Sequence, residues 1–361
     1  MEQGPYLPVV DRAAAPAPRP ERRELPFRFT GTASEYFRIW IVNTLLTIIT
    51  LGVYSAWAKI RNKQYFYRNT WLDGSSFDYL AKPIPILKGR IIAAVALGSL
   101  VASQRYSPKL YFALLGVYVL LSPWVVVKAL AFNARNSAFR NIRFAFVGRT
   151  GEAWGVYLGM MLFYVVTCGL GYPYAEWRLT GFVVKRHLFG DLEFGWSGKS
   201  GSYYRVYLLA LAVTLPVYLI LMGVMVGSVR AGGEDAGKSV SAAMIPMMVA
   251  TYAYFLVPAS LIRARIANIV YGNMHIGPHR LSCNQRWGEL FKLYAVNIVA
   301  IALSLGLLIP WAKIRLAAYR ASRLTLHAEG DISAEALFND EASAVGEGLS
   351  DLGDFDLGIG T

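Results

Sequence analysis

Glu35-Tyr-Phe-Arg38, Asn43, Leu51-Gly52, Trp57-Ala-Lys-Ile-Arg61 and Tyr65 return further along the chain as Glu289-Leu-Phe-Lys292, Asn297, Leu305-Gly306, Trp311-Ala-Lys-Ile-Arg315 and Tyr319, each 254 residues on and without a gap. A shared pentapeptide alone would be weak, but a whole register of matches makes duplication the economical reading, and a repeat constrains architecture before any single segment does. A degraded third copy lies between them. Phe146-x-Gly148, Glu152-Ala-Trp154, Leu170-Gly171 and Trp177-Arg178 answer to Phe29-x-Gly31, Glu35, Leu51-Gly52 and Trp57, with a small insertion. The chain therefore reads as three repeats, about 27–79, 144–196 and 281–327, separated by apolar helical hairpins at about 84–131 and 203–262.

The intervening composition belongs to a membrane. Of the 361 residues 55% are hydrophobic and 16% charged, against about 25% charged in ordinary soluble domains. The apolar residues are clustered into runs such as Ile39–Val53, Tyr111–Val127, Val206–Val229 and Ala242–Ile262, near the roughly 20 residues that span a bilayer as a helix. The expected fold is an all-α polytopic membrane protein with about seven transmembrane or partly re-entrant helices, three internal pseudo-repeats and short cytoplasmic aromatic strands. Those strands are Phe27-Arg-Phe29, Phe77-Asp-Tyr79 after the Asp73-Gly74 turn, Phe144-Ala-Phe146 and Phe194-Gly-Trp196; aromatic anchoring at the membrane interface explains the same residues equally well.

Both flanks look unable to build a core. Residues 1–26, rich in Pro, Ala and Arg and lacking a signal-peptide apolar stretch, are expected to be a disordered basic arm. Residues 328–361 carry nine acids and no Lys or Arg, which predicts a solvated acidic tail. The rest of the chain holds all 36 cations against 14 acids, an excess suited to anionic lipid headgroups. Nucleic acid is a poor partner, because the cations lie between apolar segments and not on one soluble module. Cys168 and Cys283 imply neither a disulfide framework nor a thiolate metal site.

The stretch Val42-Asn-Thr-Leu-Leu-Thr-Ile-Ile-Thr-Leu-Gly-Val-Tyr54 with Trp57-Ala58, and Asn141-Ile-Arg-Phe-Ala-Phe146, resembles the YjgN family of bacterial inner-membrane proteins, over about Phe27 to Thr325. The resemblance implies an inner-membrane location and several spanning helices. It carries no established activity and so no functional residues. The arm and the tail are expected to fall outside the family pattern.

Lys and Arg mark cytoplasmic loops, and the loops around Lys59–Arg90 and Lys128–Arg149 are strongly basic whereas the tips near Gln104–Lys109 and Arg230–Lys238 are not. Both flanks of every repeat are basic, however. Either seven segments cross and some basic loops lie outside, or each repeat dips in and returns at its Leu-Gly pair. Both arrangements place the C-terminus inside a multi-pass inner-membrane protein.

No chemistry announces itself. Gly-x-Ser-x-Gly is absent, Gly198-Lys199-Ser200 lacks the earlier glycine of a phosphate loop, and His275, His279 and Cys283 are separated by the helix-breaking Gly277-Pro278. No catalytic, cofactor-binding or metal-binding residues are expected, and no cofactor. The polar residues left inside the apolar repeats are Asn43, Asn297 and Thr47, candidate intramembrane contacts that would bridge helices. Glu35, Glu152 and Glu289 open the repeats at helix N-termini, where Thr32-x-x-Glu35 fits a capping box; Glu35 is also placed to pair with Lys59 or Arg61, and Glu289 with Lys313 or Arg315, if the repeat returns to its starting side. Gly155-x3-Gly159 and Gly223-x3-Gly227 suggest close helix packing within the chain. The function expected is transporter- or channel-like, with a non-enzymatic scaffold or anionic-lipid-binding protein as the alternative; membrane lipids are the expected partners, an oligomer is compatible with the sequence, and no substrate is indicated.

Overall fold

The computed structural model describes residues 22–231 and 236–333; residues 1–21 of the expected arm, 334–361 of the expected tail and 232–235 of one hairpin tip lie outside the described residues. Five units of one plan, two antiparallel helices followed by a β-hairpin, follow one another along the chain. The first unit is α1 (Ala33–Ile49), α2 (Ser55–Arg68), β3 (Thr70–Leu72) and β4 (Ser75–Tyr79), and the second is α3 (Pro83–Tyr106), α4 (Pro108–Arg135), β5 (Ser137–Phe139) and β6 (Ile142–Phe146). The third is α5 (Thr150–Val166), α6 (Tyr172–Lys185), β7 (His187–Phe189) and β8 (Leu192–Trp196), and the fourth α7 (Ser200–Ala231), α8 (Ala236–Gly272), β9 (Met274–Ile276) and β10 (His279–Cys283). The fifth, α9 (Trp287–Leu303), α10 (Ile309–Ser322) and β11 (Leu324–Glu329), is completed from the other end of the chain by β1 (Arg22–Pro26), which Phe27 joins to β2 (Arg28–Phe29).

The hairpins close because their turns demand little. Asp73-Gly74 and Arg140-Asn141 place both loop residues at positive φ, the conformation that matches a two-residue turn to the strand twist. Each second strand then pairs first with its own partner and next with the following unit. Ser75 and Ser76 pair with β3 while Phe77–Tyr79 pair with β5, and the same hand-off recurs at β6, β8 and β10. The N-terminal strand behaves identically: residues 22–26 pair with β11, the Phe27 amide donates to the Leu324 carbonyl at 3.1 Å, and Arg28 and Phe29 pair with β3. All eleven strands thus form one antiparallel sheet whose two ends are a single continuous segment, a nearly closed barrel without a free edge.

Side chains fill the barrel. Leu72, Phe139, Phe189, Ile276 and Leu326, one from each unit at equivalent positions, are all buried in one cluster, and Ile332 joins it from beyond β11. The turns beneath are tied by Arg140, which bonds Asp73 at 2.6 Å and Asp331 at 3.2 Å, while Arg23 bonds Asp73 at 2.7 Å. At the one position where β8 and β9 approach closely, Gly195 faces His275 across the pair, and a Cβ there would lie 1.9 Å from the imidazole Nε2.

Several expectations need correction. The chain is not all-α, because the aromatic segments taken as interface anchors or minor strands are pieces of a continuous eleven-stranded sheet; strands of three to five residues pairing over long sequence distance leave little trace in local patterning. Among the described residues three helices, Pro83–Tyr106, Pro108–Arg135 and Ser200–Gly227, are long and apolar enough to cross a membrane, not about seven. The short α1 and α2 instead form a hairpin whose two bases meet, as Tyr65 bonds both the backbone of Thr32 and the carboxylate of Glu35. The third copy contains no insertion: α5 and α6 begin 117 residues after α1 and α2, and Cys168-Gly169, not Leu170-Gly171, occupies the place of Leu51-Gly52. The expected arm also ends too late, since residues 22–26 are barrel strand held by β11, with Arg22 on Glu329 at 2.9 Å. The paired glycines have open space where a Cβ would stand, so Gly155, Gly159, Gly223 and Gly227 do not hold helices together within the described chain.

The outward surface of the helices reverses that of a soluble protein. Leu51 and Leu305 at the repeat bends are each 94% exposed and Leu303 82%, and the apolar windows of the three long helices are buried over only 6–11% of their residues. Contiguous apolar exposure on this scale is what lipid covers.

Candidate ligand cavity

The bends of the three repeats show how local sequence sets the helix directions. After Thr50, Leu51 adopts φ 50° and Gly52 φ 92°; the Gly52 amide donates to the Thr47 carbonyl at 2.7 Å and the Leu51 amide to that of Ile48 at 3.1 Å, the double bond of a Schellman cap. Cys168-Gly169 and Leu305-Gly306 repeat the geometry. The chain turns back at once, and α2, α6 and α10 return to the barrel.

This return decides where the expected polar residues go. Asn43 is buried and donates from Nδ2 to Asn62 at 3.2 Å, on α2. Asn297 is buried too, donating to the Ala312 carbonyl at 3.3 Å and accepting from Arg315 at 3.1 Å, both on α10. Each amide thus bridges the two helices of its own repeat and does not bond the other. Thr47 bonds back to the Asn43 carbonyl at 2.6 Å. The expected pair of Glu289 is displaced: Glu289 bonds Arg323 at 2.6 Å, as Glu152, for which no pair was expected, bonds Arg186 at 2.9 Å, both partners being the C-terminal caps of the returning helices. Lys59, Arg61, Lys313 and Arg315 sit near the start of those helices, at the far end of the hairpin, and cannot reach. Glu35, whose cap position holds Asn69, accepts from Tyr65 instead at 3.1 Å, and the Thr32 hydroxyl accepts from the Glu35 amide at 3.4 Å. Arg61 donates to Tyr54, Arg315 lies over the Trp311 ring, and Lys313 is exposed. Burial, then the neighbouring Arg90, lowers the Lys59 amine below its usual range. None of the expected site residues, nor Glu152, lines the central cavity.

A cavity of about 1120 Å³ occupies the axis of the ring, above the barrel and between the returning helices, slightly larger than the ~300–1,000 Å³ of common ligand pockets. Its wall follows the five units. Phe66, Asn133, Val183, Val270 and Arg320 take equivalent positions in the last turns of α2, α4, α6, α8 and α10; Tyr67, Ala134, Val184, Tyr271 and Ala321 follow them; Thr70, Ser137, His187, Met274 and Leu324 open the next strands; and all fifteen line the cavity. Phe27, Phe77, Phe144 and Phe194 form its floor and pack onto the barrel core beneath. Two turns nearer the helix tips, Glu176 and Arg263 face in from equivalent positions of α6 and α8.

The charges of this wall are few. Glu176 accepts a short hydrogen bond from the Tyr207 hydroxyl, and burial raises its carboxyl above the ordinary range. Burial likewise lowers His187, whose Nδ1 lies 2.6 Å from the Val183 carbonyl and so carries the proton in that bond. Arg263 and Arg320 meet no carboxylate among the described residues. Sequence reasoning missed these residues because it aligned the third copy with a gap. Without the gap Glu176 stands where the other two repeats have Lys59 and Lys313, and Arg320 where they have Phe66 and Val183.

A barrel platform carrying outward-facing apolar helices defines a membrane protein built as a pseudo-fivefold ring. The chain belongs to the family described as bacterial protein of unknown function, DUF898, whose model matches residues 24–352. The match takes in most of the acidic tail, which was expected to fall outside. The chain is similar to the inner membrane protein YjgN of Salmonella typhimurium, strain LT2, at 27% identity over 87% of this chain and 90% of that protein. A shorter stretch, 15% of this chain and 13% of the relative, is 51% identical to the inner membrane protein YjgN of Escherichia coli K12. No solved structure matches. The spanning helices and these relatives place the protein in the bacterial inner membrane.

Proposed function

We propose that the protein is a non-enzymatic inner-membrane protein that holds an amphiphile of the lipid class in its central cavity. The observation that carries this reading is the cavity's construction: a largely apolar wall supplied by all five units, opening among helices that face lipid, above a barrel filled by side chains. A filled barrel argues against a permeation path along the axis, and Asn43 and Asn297, which a polar transport site would have used, lie elsewhere. The barrel side also carries the basic flanks of every repeat, which supports a cytoplasmic platform with both chain ends on that side and α3 and α4 as an out-and-back pair of crossings. Glu176, a half-buried carboxyl in the cavity wall, is the feature that would serve proton-coupled transport.

Mass spectrometry of the full chain, purified in mild detergent and then extracted, tests the reading. A bound amphiphile near one per chain is expected, and it should be lost from Ala267→Trp, which fills the cavity. An empty wild-type protein, or proton or solute flux through reconstituted vesicles that Glu176→Gln abolishes, would overturn it.

A further inference from the structure

Within the cavity, the level set by the last helical turns is where the five units diverge in charge. Four of them place Phe66, Asn133, Val183 and Val270 there; the fifth places Arg320. An arginine is charged at any physiological pH, and its planar fork of donors matches a carboxylate or phosphate edge. Arg320 is solvent-accessible at the cavity wall and pairs with no acid among the described residues, so its donors are open to an anionic group that enters the cavity. Glu176 is seven residues before Val183 on α6, about 10 Å toward the helix tips at 1.5 Å per residue, and its carboxyl is engaged by Tyr207. The pairs made by Glu289 face other partners, Arg323 and Arg286.

The neighbours of Arg320 suit an anion as well. Tyr271, which follows Val270 on α8, also lines the cavity and offers a phenolic hydroxyl as a donor. One level toward the barrel, His187 keeps its Nδ1 proton on the Val183 carbonyl and adds no opposing carboxylate. Arg263, which likewise meets no carboxylate among the described residues, adds a second positive group on the helix-tip side.

We propose that Arg320 is the binding site for the oxyanion headgroup of the cavity's amphiphile, a carboxylate or a phosphate monoester. This rests on the lipid-class reading above, and the test separates the two. Full-length protein, delipidated in a non-ionic detergent, is titrated with oleate, with 1-oleoyl lysophosphatidic acid and with uncharged monoolein. At least one anionic probe is expected to bind about tenfold more tightly than monoolein, the worth of one charge-assisted pair, and which one does so separates a carboxylate from a phosphate source. Arg320→Gln should abolish that preference while leaving monoolein binding unchanged, and Arg320→Lys should restore part of it. Equal affinity of the wild type for all three probes, or an equal loss for all three in both variants, overturns the headgroup site while leaving an amphiphile cavity standing. Failure of every probe to bind overturns the cavity reading itself.

Discussion

The first, third and fifth units and the second and fourth stand on identical platforms and differ only above them. In the former the helices have 17 and 14 residues and turn at a Schellman cap; in the latter they have 24 and 28, and 32 and 37. Every second helix nevertheless enters its strand in the same register and contributes the same positions to the cavity. Helix length is thus free where the surroundings are lipid and fixed where the barrel begins. A strand slipped by one residue would turn its core side chain outward, whereas an extra helical turn far from the sheet only buries more apolar surface in the bilayer. The short units bind their two helices with polar ties such as Asn43 to Asn62 and Glu289 to Arg323. In the long pair α3 and α4, contact near the middle includes one hydroxyl pair, Ser99 with Tyr118 at 2.8 Å.

The comparison can be broken most severely at the ring's closure. Deleting residues 1–29 removes β1 and β2 and exposes the edges of β3 and β11, and it should abolish monodisperse protein in size-exclusion chromatography, whereas deleting residues 1–21 should leave the elution and melting temperature unchanged. Next in size is the equality of the platforms. Phe139 and Phe189 occupy the same barrel position under a long and a short unit and are both buried, so each alanine substitution should cost about 3–5 kcal/mol; thermal melts in detergent that separate the two by more than about 1.5 kcal/mol would show that the units are not equivalent.

Smaller effects sharpen the difference above the platform. Asn43→Leu and Asn297→Leu should each cost about 1–2 kcal/mol, the scale of amide bonds between membrane helices, and because each amide serves its own repeat the double mutant should lose the sum within about 0.5 kcal/mol. A coupling larger than that would mean the two sites share a partner. Last, Leu51 and Leu305 hold φ 50° at the short-unit bends, a conformation that costs an L-residue about 1–2 kcal/mol. Leu51→Gly should therefore raise the melting temperature slightly; a fall would indicate that the leucine's contact with lipid outweighs its backbone strain.

Much of this was legible in the chain itself. The gapless match of Glu35–Tyr65 to Glu289–Tyr319 fixes two units and their bends, because identical local sequence makes identical caps, and the uncharged runs of α3, α4 and α7 mark the helices that can cross. The third copy was misaligned since Cys168 replaces a leucine that the bend does not require, only a residue able to take positive φ before a glycine. The long units could not be recognised as copies of the short ones, since lipid-facing positions accept any apolar side chain and so lose sequence identity first. What the sequence by itself determined is the membrane character and the threefold repeat, both written in local composition and periodicity. Only the tertiary structure decided the barrel, its closure by residues 22–29 and the placing of Glu176, Arg263 and Arg320 around one cavity, because strand pairs such as Leu25 with Leu326 join residues some 300 apart, and no local pattern records which distant backbone satisfies a given hydrogen bond.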